Sequence, residues 1–446
     1  MVPCFIETCG LDTDRSSNFF LQRRRERVIV AGLLAVIAGF YAACVVYCLG
    51  RIHGNKADFD AFYFAARAMR AGEDMYVVRQ PAYIYPPLVA LLYLPLAWLN
   101  DVAAGAVAMI VNVLASMLSV WLIASESARR VLGRASRVAA LVLAGLILLT
   151  VGDKIRADLR MWQTNVLLIV LVAGCVALLD KRPRLAGMLA GLAVNIKYLP
   201  IALLGYFIIR RRWKAAGGMV GGILLGAFLP ALVRGWSRNL SDLGVAFNGV
   251  LRLFGAGVDR GADIDDIRAE YSVSITSFFA RQFAGSHTAA FACGAAVAIA
   301  AAVFCGVAYR RAGRPVLLSP RREADPLAGV FTLLEISWLW GAMLIFSPQT
   351  NPRHLSTLTL LVGPVWAFII DTRTPKRDRL VLIGTMAFLW LSLVLPPGGE
   401  MFDPWVRRWR ELGGPGWCML VFILVSVQVI VPGVMGRVRA EREAEV

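Results

Sequence analysis

The chain has 446 residues, of which 58% are hydrophobic and 17% charged, and its mean hydropathy is +0.64. Soluble domains of this size are not so apolar, so the composition excludes a water-soluble enzyme and makes the bilayer the solvent. The net charge of +17 does not call for nucleic acid: more than half of the 47 basic residues fall in short clusters between apolar runs, as the positive-inside rule asks of cytoplasmic loops.

In chain order, residues 1–27 read as a cytoplasmic tail ending in Arg23, Arg24, Arg25 and Arg27. Residues 28–49 carry no charge and exceed the about 20 residues needed to cross the hydrocarbon layer. This run is too long for a signal peptide core, has no small-residue cleavage site and is followed by many similar runs, so it is expected to remain as the first span. Further spans are expected at roughly 102–124, 138–151, 162–179, 215–234, 287–309, 328–346, 354–370, 380–396 and 413–434, before a cytoplasmic tail at 435–446. Residues 185–209 are long enough for one helix, yet DKRPR precedes them and RRRWK follows. A single crossing would put one basic cluster outside. Two shorter helices that enter and return, broken at Asn195, Lys197 and Pro200, keep every strong cluster on one side. The expected architecture is therefore all-α and polytopic, a single transmembrane domain over 28–434 with about twelve membrane helices. Broken helices at membrane depth need cover from protein or a watery cavity, so the break points to a site.

This topology leaves long outer segments at about 50–101 and 235–286 and short ones near 152–161, 347–353 and 397–412. In the first, DFDAFYFAARAMRAG predicts an interfacial helix capped by Asp58, with Phe62, Ala65, Ala66 and Met69 as its apolar stripe. The following AYIYPPLVALLYLPLAWL starts a second such helix at Pro86-Pro87 and carries Tyr83, Tyr85, Tyr93 and Trp98 for the aromatic belt. The eight cysteines lie in the N-terminal tail or in apolar runs, without a CxxC pair, and frame neither a disulfide scaffold nor a zinc site; Cys44 and Cys48 read as small packing residues.

Polar residues near the expected outer face are the candidates for chemistry. Asp58 serves as a plain helix cap or as a general base toward an acceptor hydroxyl, and the two roles can coexist. The turn SPQTNPRH, residues 347–354, needs its proline and asparagine as a turn, yet Arg353 and His354 would also clamp a phosphate. Lys197, with Lys154, Arg156 and Arg160 of GDKIRADLR, either snorkels to the interface or meets a bound anion. Glu335 is a further charge within an apolar run. Asp60, Tyr63, Tyr85, Gln163 and Asn165 are candidates for acceptor or sugar contacts, although Gln163 and Asn165 would equally hydrogen-bond another helix. No metal or other cofactor is expected, while Asp263, Asp265 and Asp266 keep a divalent-metal alternative open.

These residues resemble glycosyltransferase family 87, the polyprenyl-phosphate-sugar-dependent mannosyl- and arabinofuranosyltransferases of the GT-C superfamily. The resemblance lies in DFDAFYFAARAMRAGEDMY (58–76), YIYPPLVALLYLPLAWL (83–99), WQTNVLL (162–168), LAVNIKYLP (192–200) and SPQTNPRHL (347–355), in the family's order. It implies a GT-C-type fold, Asp58 as catalytic base, and His354, Arg353 and Lys197 around the donor phosphate. The turn carries Thr350-Asn351 where the family usually has Ser-Trp, and the later loop has SVS (272–274) where Asn-Gln-Ser is common; donor and acceptor identity depend on such positions. The implied reaction is an inverting transfer of mannose or a similar sugar from a polyprenyl-phosphate donor to a hydroxyl of a lipid or glycan acceptor. It would proceed at the outer face of the cell membrane, among membrane lipids and with both termini cytoplasmic, through an oxocarbenium-like transition state. The rival readings are a transporter or flippase of a lipid-linked or polar solute, which would also want Lys197 and Glu335, and a non-catalytic membrane subunit.

Overall fold

The computed structural model describes residues 13–50, 52–54, 58–77, 81–133, 136–256, 260–264, 266–283, 286–316, 327–394 and 403–444. Its regular structure is helical throughout these residues. Helix α1 (Thr13–Leu49) leads into the segment 50–101, where α2 (Asp58–Ala71) and α3 (Pro87–Tyr93) lie, the latter continued by a 3-10 turn at Leu94–Trp98. Two long helices follow, α4 (Asp101–Val131) and α5 (Arg137–Arg160), then α6 (Asn165–Leu178). The stretch between the two basic clusters is α7 (Pro183–Val194), a 3-10 turn at Leu199–Ile201 and α8 (Ala202–Ile209), broken where the sequence argument places the break. After α9 (Trp213–Phe228) and α10 (Ala231–Arg234), the segment 235–286 contains α11 (Trp236–Leu253) and α12 (Ile275–Gln282). Helices α13 (His287–Arg311) and α14 (Ala328–Phe346) lead to a 3-10 helix at Pro352–Leu358, and α15 (Thr359–Ile370), α16 (Lys376–Val394), α17 (Asp403–Glu411) and α18 (Gly414–Ala444) complete the chain.

Eight helical stretches among the described residues are long and apolar enough to cross a membrane, and α6, α7 and α8 are shorter apolar helices. The protein is an all-α polytopic membrane protein. Its core is continuous across the bundle, with Trp162, Trp340, Phe331 and Phe422 among its largest fully buried side chains. Cys44 and Cys48 are buried in packing contacts, as expected. Without a hydrophobic drive between helices in lipid, close backbone approach has to supply much of the association, and small residues allow it. Helices α7 and α9 use this device: a Cβ at Gly191 would collide with the Met219 carbonyl, and one at Gly222 with the Met188 carbonyl. Asn195, at the end of α7, donates to the Ile223 carbonyl of α9 at 3.0 Å, so the break in the helix is tied to its neighbour.

The basic loops gather at one end of the bundle. Arg130 pairs with Glu126 and Asp180 and donates to the Val176 carbonyl, Arg212 reaches Asp180 and Thr332, and Arg373 donates to the Val131 carbonyl. Glu335 sits near this end in a paired setting: Arg210 meets it through Nη2 at 2.7 Å and Nε at 3.1 Å, and the hydroxyls of Tyr206 and Tyr309 donate to it. Helices α5 and α14 start in this basic layer and end at the opposite side of the bundle.

The sequence reading of 152–161 as an outer turn does not hold, because α5 runs unbroken to Arg160. Nothing in the segment stops a helix, and its charges pair locally, Asp153 with Arg156 at 2.7 Å and with Lys154 at 3.3 Å.

Candidate active site

At the end of the bundle away from the basic layer, a cavity of about 640 Å³ is walled by α2, the 81–86 strap, the α5–α6 corner, the helix break and the 347–354 turn. Each element owes its position to sequence-local causes. Asp58 opens α2, whose stripe Phe62, Ala65, Ala66 and Met69 is buried as the pattern predicts. Phe62 packs edge-on to Tyr85 with ring centroids 5.0 Å apart. The strap is pinned by Tyr83, whose hydroxyl donates to the Pro86 carbonyl at 2.6 Å and accepts from the Ala90 amide at 3.0 Å. The α5–α6 corner turns at Trp162, a non-glycine residue at φ 48° whose indole is buried and donates to the Gly105 carbonyl. Such a conformation is costly for a bulky residue and persists where the surroundings over-determine it. Here it turns Gln163 toward the cavity and starts α6 at Asn165.

The 347–351 turn is held by residues 271–273 of the segment between α11 and α12. Thr350 N donates to Ser272 Oγ at 3.0 Å, Val273 N donates to the Thr350 carbonyl at 2.9 Å, and Gln349 Nε2 donates to Tyr271 Oη at 2.8 Å. The two places where the chain departs from the pattern of family 87, Thr350-Asn351 and SVS, therefore lie against each other. Asn351 then caps the 3-10 helix by accepting from the Arg353 amide at 3.1 Å.

Asp58 and Arg353 meet as an ion pair on the cavity wall, Arg353 Nη1 lying 3.5 Å from Asp58 Oδ2, and both side chains are partly exposed. Burial lifts the Asp58 carboxyl above its ordinary 3.8, and the charges of Arg353 and Lys197 pull against that rise. Lys197 Nζ lies 2.7 Å from Asn165 Oδ1 and 2.9 Å from His354 Nε2, with Tyr85 beneath it at 5.8 Å. An ammonium carries donors alone, so His354 accepts through Nε2 and holds its own proton on Nδ1. Gln163 lines the same cavity, and its side-chain oxygen is buried with no hydrogen-bond partner among the described residues.

The structure thus brings Asp58, Tyr85, Gln163, Asn165, Lys197, Arg353 and His354 around one space. Asp60 and Tyr63 are not among its lining residues; Tyr63 stacks on Phe59 and donates its hydroxyl to the Leu99 carbonyl at 2.7 Å. Lys154, Arg156 and Arg160 also lie outside it, the first two on Asp153 and the two arginines over Tyr47. Asp263 lines the rim, Asp266 is held by Arg268, and Asp265 is outside the described residues. Among the described residues no group of three His, Cys, Asp or Glu could hold a metal ion. Sequence reasoning missed Asp158, fully buried behind the cavity, which accepts from Asn165 Nδ2 at 2.6 Å and Ser356 Oγ at 3.2 Å. Its signal was available: Val151, Ile155 and Leu159 form the buried stripe of α5, and Asp158 falls on that face.

A carboxylate that lines one cavity together with three cationic or proton-bearing groups suits a reaction that removes a proton and develops negative charge nearby. A profile of glycosyltransferase family 87 matches residues 83–322. Over 427 residues the chain is 24% identical to the polyprenol-phosphate-mannose-dependent alpha-(1-2)-phosphatidylinositol mannoside mannosyltransferase of Mycobacterium tuberculosis, with 91% of this chain and 92% of that protein covered. It is 26% identical over 404 residues to the protein of the same name from Mycolicibacterium smegmatis, covering 85% of this chain and 84% of that one. The matched profile spans more than half of the chain and takes in most of the strap, the α5–α6 corner and the helix break, and on that ground the chain belongs to glycosyltransferase family 87.

Proposed function

We propose that the protein moves mannose or a similar sugar from a polyprenyl-phosphate donor to a hydroxyl of a glycolipid acceptor in a single inverting displacement at the extracytoplasmic face of the membrane. The observation that carries this reading is the convergence of Asp58, Arg353, Lys197 and His354 on the wall of one cavity, with Asp58 paired to Arg353 and Lys197 to His354. Asp58 removes the proton of the acceptor hydroxyl as that oxygen attacks the anomeric carbon. The sugar–phosphate bond breaks, and its electrons leave with the polyprenyl phosphate. Arg353, the remaining N–H of Lys197 and Nδ1–H of His354 meet the negative charge that develops there. A phosphate monoester is a fair leaving group, so proton removal and charge neutralisation suffice as protein contributions. The donor and acceptor classes are supported by the names of the two mycobacterial relatives, and the unpartnered Gln163 oxygen supplies an acceptor for a sugar hydroxyl.

The orientation is supported by charge. The basic loops and the cavity lie at opposite ends of α5 and α14, so basic loops in the cytoplasm leave the cavity outside, and an even number of crossings places both termini with the loops. The transport reading loses one of its two intramembrane charges, because Glu335 is bound by Arg210 and two tyrosines away from the cavity.

The test is transfer of radiolabelled mannose from polyprenyl-phosphate mannose to a phosphatidylinositol mannoside by the purified protein. Asp58→Asn is expected to lower kcat by ~10²–10⁴-fold, the span of general base catalysis. Its thermal midpoint should barely move, since a partly exposed pair at 3.5 Å contributes less than about 1 kcal/mol. Failure of the wild-type protein to transfer sugar from any polyprenyl-phosphate donor overturns the reading.

A further inference from the structure

Asp158 is a fully buried carboxylate that does not line the cavity, and the mechanism above does not use it. A carboxylate buried this far is costly unless a cation answers it. The cation in reach is Lys197, one amide away. Asn165 stands between them, its Nδ2 donating to Asp158 Oδ1 at 2.6 Å and its Oδ1 accepting from Lys197 Nζ at 2.7 Å. A carboxylate accepts and does not donate, so Asp158 decides which end of the Asn165 amide faces which neighbour. With Nδ2 turned to the carboxylate, Oδ1 faces Lys197 and holds one of its N–H groups. A second N–H of Lys197 then meets His354 Nε2 at 2.9 Å, which leaves the imidazole proton on Nδ1. Nδ1 makes no hydrogen bond among the described residues, and both His354 and Lys197 line the cavity. Ser356, two residues after His354, donates to the other carboxylate oxygen at 3.2 Å, so the same buried group also grips the element that carries the histidine.

We propose that Asp158 is a positioning residue: by orienting Asn165 it aims Lys197 and fixes the His354 tautomer, so that both side chains present N–H donors to an oxyanion in the cavity. The oxyanion class is a phosphate monoester, as the departing group of the reaction above requires, and the inference rests on that reading. No proton moves along the chain of contacts. The carboxylate sets direction.

Full-length Asp158→Asn, Lys197→Met and the double variant are purified in detergent and compared for transfer from polyprenyl-phosphate mannose to a phosphatidylinositol mannoside. Asp158→Asn is expected to lower kcat by ~10–100-fold, the usual scale for a partner that orients a contacting group, with the acceptor KM unchanged. On the Lys197→Met background it should add less than about 3-fold, because a residue that acts through the lysine has nothing left to act on. Adding Asn165→Asp to Asp158→Asn moves the negative charge one link toward Lys197 and should recover roughly 5-fold or more of the loss. A merely structural Asp158 gives the opposite pattern: losses multiply, they track the thermal midpoint, and relocation of the charge rescues nothing. Wild-type kcat in Asp158→Asn, or full multiplication with Lys197→Met, overturns the proposal. If Asp158→Asn does not accumulate, Asn165→Gln breaks the same link in a chain that keeps the carboxylate, and unchanged kcat there overturns it equally. The thermal shift given by polyprenyl phosphate is read in parallel, with affinity expected to fall ~10-fold in Asp158→Asn. A wild-type protein that neither binds that phosphate nor transfers sugar sinks the transferase reading, whereas unchanged affinity in the variant of a protein that binds it sinks the positioning role alone.

Discussion

Glu335→Ala should destabilise the protein without slowing sugar transfer. The Glu335 carboxylate accepts from Arg210 twice, at 2.7 and 3.1 Å, and from the hydroxyls of Tyr206 and Tyr309, while the side chains of Arg210 and Glu335 are 7% and 9% exposed. Truncation leaves a buried guanidinium without its counter-charge and two phenols without their acceptor, and breaking such a pair costs about 3–5 kcal/mol. At about 2.1 cal/mol/K of unfolding entropy per residue, a cooperative unit of 446 residues loses roughly 1 °C per kcal/mol, so the midpoint should fall by about 3–5 °C. Fluorescence-monitored melting in detergent measures it, with mannose transfer below the transition as the control. Arg210→Met with Glu335→Leu should return the midpoint to near that of the parent chain, because an apolar pair of similar volume replaces a buried ion pair with little loss. A Glu335→Ala midpoint within about 1 °C of the parent, or a double variant no better than the single, would refute the claim that the buried Arg210–Glu335 pair stabilises the fold. Loss of transfer in a fully folded Glu335→Ala would show that the charge serves function instead.

Three further outcomes follow from the geometry. Gln163→Leu removes a buried, unpartnered acceptor, so the midpoint should rise by an amount up to that of the about 1–3 kcal/mol desolvation cost, while KM for one substrate rises ~10-fold; melting and initial rates decide it, and an unchanged KM would show that no ligand group uses that oxygen. Burial holds Asp58 above 3.8 against the pull of Arg353, and a base works when deprotonated, so the acid limb of kcat/KM should lie above that value. Arg353→Gln removes a charge that favours the ionised form and should move that limb to higher pH, whereas a shift to lower pH would contradict the arrangement. Gly191→Val drives a side chain into the Met219 carbonyl and should part α7 from α9, lowering both the yield of folded protein and the transfer rate by ~10-fold or more, whereas the same change at Gly221, where a Cβ meets nothing, should be tolerated.

The features legible in the sequence were those written in short-range pattern. Asp58 with its apolar stripe announces α2, and basic clusters on both sides of a broken apolar run announce the pair α7 and α8. Local pattern failed where charge was taken for exposure. The charged residues at 153–160 looked like a turn, yet they pair along one flank of a continuing helix while Asp158 takes the buried flank. The partner of Glu335 lies 125 positions away, beyond any periodicity. Tyr63 shares a helix with Asp58, but its position sends it to Phe59 and Leu99 instead of the cavity. Of the second outer segment the sequence reading specified no helix, although α11 and α12 form there and its serines hold the 347–351 turn.

The seven-residue 3-10 helix after that turn sends Arg353 to Asp58, His354 to Lys197 and Ser356 to Asp158. With three residues per turn, Arg353 and Ser356 project from the same side one turn apart and His354 about 120° from them, so the register of the helix sets all three destinations. A variant with one residue inserted ahead of Arg353 would retain every functional group of the site and still misdirect all three. In this stretch the number of residues matters before their kind, and length variation here should silence the protein more completely than most substitutions.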